Sequence, residues 1–158
     1  MSRLMSVALT EQAVIERRKT VTRRLGWWTD KNGRRLLKPG DRLTLCRKVM
    51  GRGKCLDCGG SGLLYRMLDG AMLTRACPAC AATGREPLVR LAEVEVIDVD
   101  REPLRDIELD PHDVEREGFQ GWTPAQFVCF FCDEMHCTPD HIVTRIHWRY
   151  LDGEDGAT

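Results

Sequence analysis

The sequence lacks a long apolar run. Nowhere in its 158 residues do apolar side chains approach the ~20 consecutive positions that a membrane-crossing helix needs. Residues 1–10 hold one arginine and about six apolar side chains, and Glu11 follows at once. The apolar core of a secretory signal is therefore missing too. Both absences point to a cytoplasmic protein with no membrane partner. In that reducing setting its eight cysteines argue for metal ligation or free thiols rather than disulfides. Net charge is also missing, with 24 Lys and Arg against 24 Asp and Glu. The neutrality hides two unlike halves. Residues 1–90 carry 19 basic against 7 acidic side chains, a net +12, and residues 91–158 carry 5 against 17, a net −12. Such asymmetry suits a basic face for an anionic partner, or two halves that pair with each other.

What is present is enough for one domain with a real core, since 42% of residues are apolar. The densest basic stretch is Glu16-Arg17-Arg18-Lys19-Thr20-Val21-Thr22-Arg23-Arg24, in which five of nine residues are cations. One amine, two alternate hydroxyls and flanking guanidiniums make a row of donors able to meet an anion or a polar base. A solvated helix end followed by a loop is the competing reading. Ahead of it, residues 4–9 suit a short strand. Thr10 is placed to cap a short helix, Leu9 and Val14 fit a hydrophobic staple, and Val14 and Ile15 are expected in the core. After it come Trp27 and Trp28. Trp28 is a candidate platform for stacking a base, although packing of both rings into the core is the favoured reading.

Further on, Asp30-Lys31-Asn32-Gly33 and Lys38-Pro39-Gly40-Asp41 read as turns, and Leu43 and Leu45 as strand positions. Residues 88–99 read as a long strand, and the acidic residues 98–113, with two prolines, mostly as loop. Thr123-Pro124-Ala125-Gln126 opens a helix with a capping box, with Trp122 and Phe127 able to staple it. Phe127, Val128, Phe131, Cys132 and Met135 share its apolar face. A closing strand alternates through Ile142, Thr144, Ile146, Trp148 and Tyr150. The order predicts a small α+β barrel.

Residues 52–85 stand apart. Cys55-Leu56-Asp57-Cys58 and Cys77-Pro78-Ala79-Cys80 are two C-x2-C knuckles eighteen residues apart. Two thiolates from each tight turn complete a closed tetrahedral site for structural Zn2+, with no open position for a catalytic water. Asp69-Gly70 turns a hairpin between the knuckles. The segment is too small to own a core, so metal is expected to hold it. The first knuckle with its glycines resembles the C-x-x-C-x-G-x-G repeat of J-domain chaperones, a likeness of local geometry. The second keeps only its last glycine, Gly84. The C-x2-C of Cys129 and Cys132 lies within a helix, where Cys132 is expected to pack as a small hydrophobe.

Three segments together resemble the ASCH family of PUA-like barrels, in particular its phage-type members. They are Arg18-Lys19-Thr20-Val21-Thr22-Arg23-Arg24, Lys38-Pro39-Gly40-Asp41-Arg42-Leu43, and Glu115-Arg116-Glu117-Gly118-Phe119 with Val143-Thr144-Arg145-Ile146. The resemblance implies a PUA-like β-barrel with flanking helices from residues 1–51 and 86–158, interrupted by the zinc-binding β-hairpin insertion at 52–85. It also implies a cleft for RNA, DNA or a modified nucleoside, lined by Lys19, Thr22 and Glu117. Arg17, Arg18, Arg23, Arg24 and Trp28 would form its nucleic-acid-binding rim. One enzymatic branch of the family deacylates N4-acetylcytidine, and by position its catalytic groups fall on Lys19, Thr22 and Glu117. Glu115 competes with Glu117 for the last place. The family's glycine two residues before the lysine is Arg17 here, so the chain is expected to leave the helix in another way.

Overall fold

The computed structural model describes residues 2–50 and 52–151. Among the described residues, seven strands and three α-helices form an α+β fold. The strands are β1 (Arg3–Ser6), β2 (Val21–Arg24), β3 (Arg42–Cys46), β4 (Leu63–Leu68), β5 (Ala71–Ala76), β6 (Arg90–Pro103) and β7 (Ile142–Tyr150). The helices are α1 (Glu11–Ile15), α2 (Asp113–Arg116) and α3 (Pro124–Met135). Five strands build one curled half-barrel sheet in the order β1-β3-β6-β7-β2, parallel only at β1–β3. Bulges at Leu45/Cys46 and Val96/Asp98 supply extra twist where β6 meets its neighbours. Among the described residues no pairing joins the edges β1 and β2. Instead the Arg24 guanidinium donates to the Ser6 carbonyl at 2.6 Å, one side chain spanning the open seam.

The apolar side chains collect in two clusters. The main one fills the concave side of the sheet with Met5, Val14, Leu43, Leu45, Val94, Val96, Val99, Ile146 and Trp148, and Trp27 and Trp28 pack against it. The second lies under α3 and the 3-10 segment Leu104–Leu109, around Leu104, Ile107, Val114, Phe127, Phe131 and Val143. β7 serves both, so it buries Val143 as well as the alternating set. Helix α3 starts as its sequence requires. The Thr123 hydroxyl accepts from the Gln126 N–H at 3.2 Å, and the Gln126 side chain accepts from the Thr123 N–H at 2.8 Å.

Several local expectations change. Leu9 is 66% exposed and Ile15 47%, so the staple at α1 does not form, and of the expected pair Val14 and Ile15 only Val14 enters the core. Thr10 makes no side-chain cap. Trp122 packs on Phe119 and Phe130, at 4.9 and 5.5 Å between ring centroids, rather than stapling to Phe127. β6 continues through the acidic segment to Pro103, because β7 offers it partners as far as Ile142. Sequence patterns at surface helices and loops are easily overruled by such pairing.

Candidate functional site

The exit from α1 sets the first side of the site. Arg17 itself takes the left-handed conformation, φ 64°, that a glycine would occupy. The N–H of Arg17 bonds to the Val14 carbonyl at 3.0 Å and that of Arg18 to the Ala13 carbonyl at 2.8 Å, the paired closure of a Schellman turn. So the expected alternative exit is not used. A left-handed non-glycine costs about 1–2 kcal/mol. The Arg17 guanidinium offsets part of this by donating to the Val14 carbonyl at 2.8 Å and stacking 5.0 Å from the Tyr150 ring centroid. Two β7 side chains then pin the next turn, since the Trp148 indole N–H (3.1 Å) and the Tyr150 hydroxyl both donate to the Lys19 carbonyl.

Glu117 arrives from the end of α2. Gly118 follows it with φ 101°, and a Cβ there would sit 3.0 Å from that of Ala13. This close approach brings the carboxylate against α1. The Lys19 amine donates to the Glu117 carbonyl at 2.6 Å and to its Oε2 at 3.3 Å, with both residues buried. Oε1 accepts from Arg23 at 3.1 Å. Arg23 continues to Glu102 at 3.1 Å and to Asp113 at 2.5 Å, and Arg145 clamps Asp113 through two bonds of 2.9 Å. Glu117 and not Glu115 meets Lys19; Glu115 lies in a separate surface hollow with Arg18, His112, Arg116 and Gln120.

The charges in this network shift one another. Burial pushes the Lys19 amine down to about 8, against the pull of the Glu117 carboxylate and with help from Arg24 and Arg23. Burial raises Glu102 despite the guanidiniums of Arg23 and Arg145. Burial opposes ionisation of Asp113 too, but the Arg145 hydrogen bonds and the Arg23 charge win and hold its carboxyl well below the usual range.

Beside the pair lies a cavity of about 190 Å3, room for about six waters at ~30 Å3 each. Lys19, Thr22, Arg23, Arg24, Glu117 and residues 6–10 line it together with Phe119, Phe127, Phe130, Phe131 and Met135. Thr22 is buried there, and its hydroxyl accepts from Arg24 Nε at 3.3 Å. The basic rim read from the sequence is thus redistributed. Arg23 and Arg24 turn inward, Arg18 pairs with Glu16, Arg17 caps α1, and Trp28 is not part of the cavity wall.

The cysteine hairpin is built by repetition. Cys55 N–H bonds to the Gly84 carbonyl and Cys77 N–H to the Gly62 carbonyl, both at 2.9 Å. The Gly62 and Gly84 N–H groups donate to Cys58 and Cys80 Sγ, both at 3.2 Å. Neither glycine can be replaced simply, because a Cβ would fall 2.5 Å from the Ala82 carbonyl oxygen at Gly62 and 2.3 Å from that of Gly60 at Gly84. Ala81 and Ala82 take φ 50° and 64°, the conformations that Gly59 and Gly60 take in the first knuckle. The second knuckle therefore keeps the geometry without its glycines. All four sulfurs lie within 4.8 Å of one another. Cys55–Cys77 at 4.0 Å and Cys58–Cys80 at 3.8 Å are too far for disulfides, but match the ~3.8 Å edge of a tetrahedron with metal–sulfur bonds of ~2.3 Å. Burial opposes the Cys58 thiolate, yet N–H groups of Gly60 and Gly62 bring its thiol down to about 6. The donor set fits a closed metal site.

No family model matches this chain, and no curated protein matches it either. Among solved structures it is similar to a protein of Enterococcus faecalis V583 described as DUF984, at 15% identity and TM-score 0.54, over 96% of this chain and 80% of that one. It is also similar to an ASCH domain from Lactobacillus crispatus JV V101, at 12% identity and TM-score 0.46, over 90% and 70%. At 15% identity the first likeness is one of fold.

Sequence reasoning missed the acidic partner Asp113 and the aromatic wall. Asp113 and Glu117 are spaced i,i+4, which puts both on one helical face, and that signal was available. Phe119 and Phe130 carried none.

Proposed function

We propose that the protein binds a nucleic acid or a modified nucleoside by seating a base between the Lys19–Glu117 pair and the phenylalanine wall. The observation that carries this reading is that a buried ionic donor–acceptor couple and a set of phenylalanines line one small cavity. A heterocycle offers both complements, a π-face for the rings and polar edges for the amine, carboxylate and Thr22 hydroxyl. RNA, DNA or a free modified nucleoside share that chemistry. In this reading residues 52–85 are an inserted module on a PUA-like barrel of residues 1–51 and 86–158. Cys55, Cys58, Cys77 and Cys80 would hold a structural Zn2+ that fixes the module's shape.

A second reading, an amidohydrolase deacylating N4-acetylcytidine-type nucleosides, is favoured by the lowered Lys19 pKa. An amine near 8 has about a tenth of its population neutral at pH 7, and only the neutral form acts as nucleophile or base. Glu117 would pass the proton to the leaving amine, and Thr22 would orient the carbonyl.

Calorimetric titration with cytidine, N4-acetylcytidine and short RNA and DNA oligonucleotides, coupled to product analysis, tests both. In Lys19→Ala, Glu117 keeps its bond to Arg23, so the fold should persist while affinity drops at least tenfold. Unchanged affinity in that variant sinks the binding reading. Absence of product from N4-acetylcytidine with zinc-replete protein sinks the hydrolase.

A further inference from the structure

Thr144 is fully buried, and its hydroxyl has no hydrogen-bond partner among the described residues. It lies mid-row across three strands. Arg24 on β2 and Arg101 on β6 are both its direct register partners. Directly opposed residues project from the same face of a sheet. The order Arg24–Thr144–Arg101 therefore runs across about 10 Å of the concave face.

The row continues onto Trp28. The Arg101 guanidinium lies 5.5 Å from its ring centroid, and that of Arg35 lies 3.4 Å from it. Arg35 is held there by the Thr29–Arg35 bridge closing its turn. Neither guanidinium has an ion pair or side-chain hydrogen bond among the described residues. One step along in register, the opposite face shows the contrast. There Arg23, Arg145 and Asp100 form the row, and Asp113 and Glu102 neutralise its cations. That face is neutralised by its carboxylates; on the Thr144 face Arg101 and Arg35 have no carboxylate partner among the described residues.

A guanidinium stacked on an indole keeps its N–H edge free, and that fork matches the oxygens of a phosphate. Two such cations against one ring repel each other until an anion sits between them. Arg24 also lines the cavity, so the row begins where the base site ends. We infer that Arg101 and Arg35, on the Trp28 platform, form a phosphodiester subsite for the strand whose base enters the cavity that Arg24 lines. This inference rests on the nucleic-acid reading above and selects a polynucleotide over a free nucleoside.

The test uses the full zinc-replete chain, a fluorescein-labelled single-stranded RNA 12-mer, free cytidine, and phosphatidylserine vesicles as a second anionic probe. In the Arg35→Gln, Arg101→Gln double variant the 12-mer should bind about tenfold more weakly. The slope of log affinity against log salt should fall by about 1.4, for two lost phosphate contacts at ~0.7 each. Cytidine affinity should stay the same. Unchanged 12-mer affinity and slope overturn the subsite, whatever Lys19→Ala does. Loss in the double variant with none in Lys19→Ala keeps the subsite and removes the base cavity instead. Vesicle binding without 12-mer binding overturns both.

Discussion

The half-barrel and the cysteine hairpin handle buried groups in opposite ways. The half-barrel hides apolar side chains in two clusters and hides charge as well, with Lys19, Arg23, Asp113 and Glu117 all buried. In the hairpin, β4 and β5 leave Tyr65, Met67, Met72 and Leu73 exposed, and the buried cluster of the segment is built on its sulfurs. A two-stranded ribbon without a packed face is marginal in water. The hairpin must therefore draw its order from the sulfur cluster, while the half-barrel is stable enough to hold desolvated charges beside a cavity. Only the second kind of region can shift a lysine by burial.

Metal removal should separate the two most sharply. Chelation, or Cys77→Ser, should abolish amide-exchange protection across residues 63–76 and leave the half-barrel's melting unchanged. Apparent binding free energies of structural zinc are on the order of 10 kcal/mol, so the local effect should be complete. Coincident unfolding of both regions would refute their energetic independence.

Next in size is the pH response of Lys19. Its folded pKa is near 8 against an ordinary 10.5. Between those values the unfolded chain holds a proton that the folded chain has released, so stability rises with pH across the window. The full gain is about 3.5 kcal/mol at ~1.4 kcal/mol per unit. Denaturant midpoints of wild type and Lys19→Met, compared at pH 7.5 and 10, should move in wild type's favour as pH rises. A difference independent of pH would mean that burial does not perturb the amine.

The smallest effect should come from the second knuckle. Ala82 sits at φ 64°, so Ala82→Gly should relieve about 1 kcal/mol and slow zinc loss to a competing chelator by about fivefold. Faster loss would show that the knuckle does not carry that strain.

Legibility followed the range of the interaction. The knuckle spacing, the Thr123–Gln126 capping box and the alternation of β7 each involve residues a few positions apart, and each reads directly. The length of β6 does not, because its acidic end is a strand only where β7 lies beside it. The left-handed Arg17 does not either, because the Tyr150 ring that steadies it belongs to the other end of the chain. Position favoured Glu117 over Glu115 without excluding the latter; in the fold it is Glu117, ahead of the turn at Gly118, that meets Lys19.

The amino-acid order alone determined the four-thiol set, the helix start at Pro124 and the division of charge between the halves, all properties of near neighbours or of composition. Only the folded chain decided that an amine and a carboxylate 98 residues apart would meet, and that Arg23 and Arg145 would be neutralised by carboxylates. Desolvation and Coulomb energies depend on distance in space, and a linear pattern does not contain that distance.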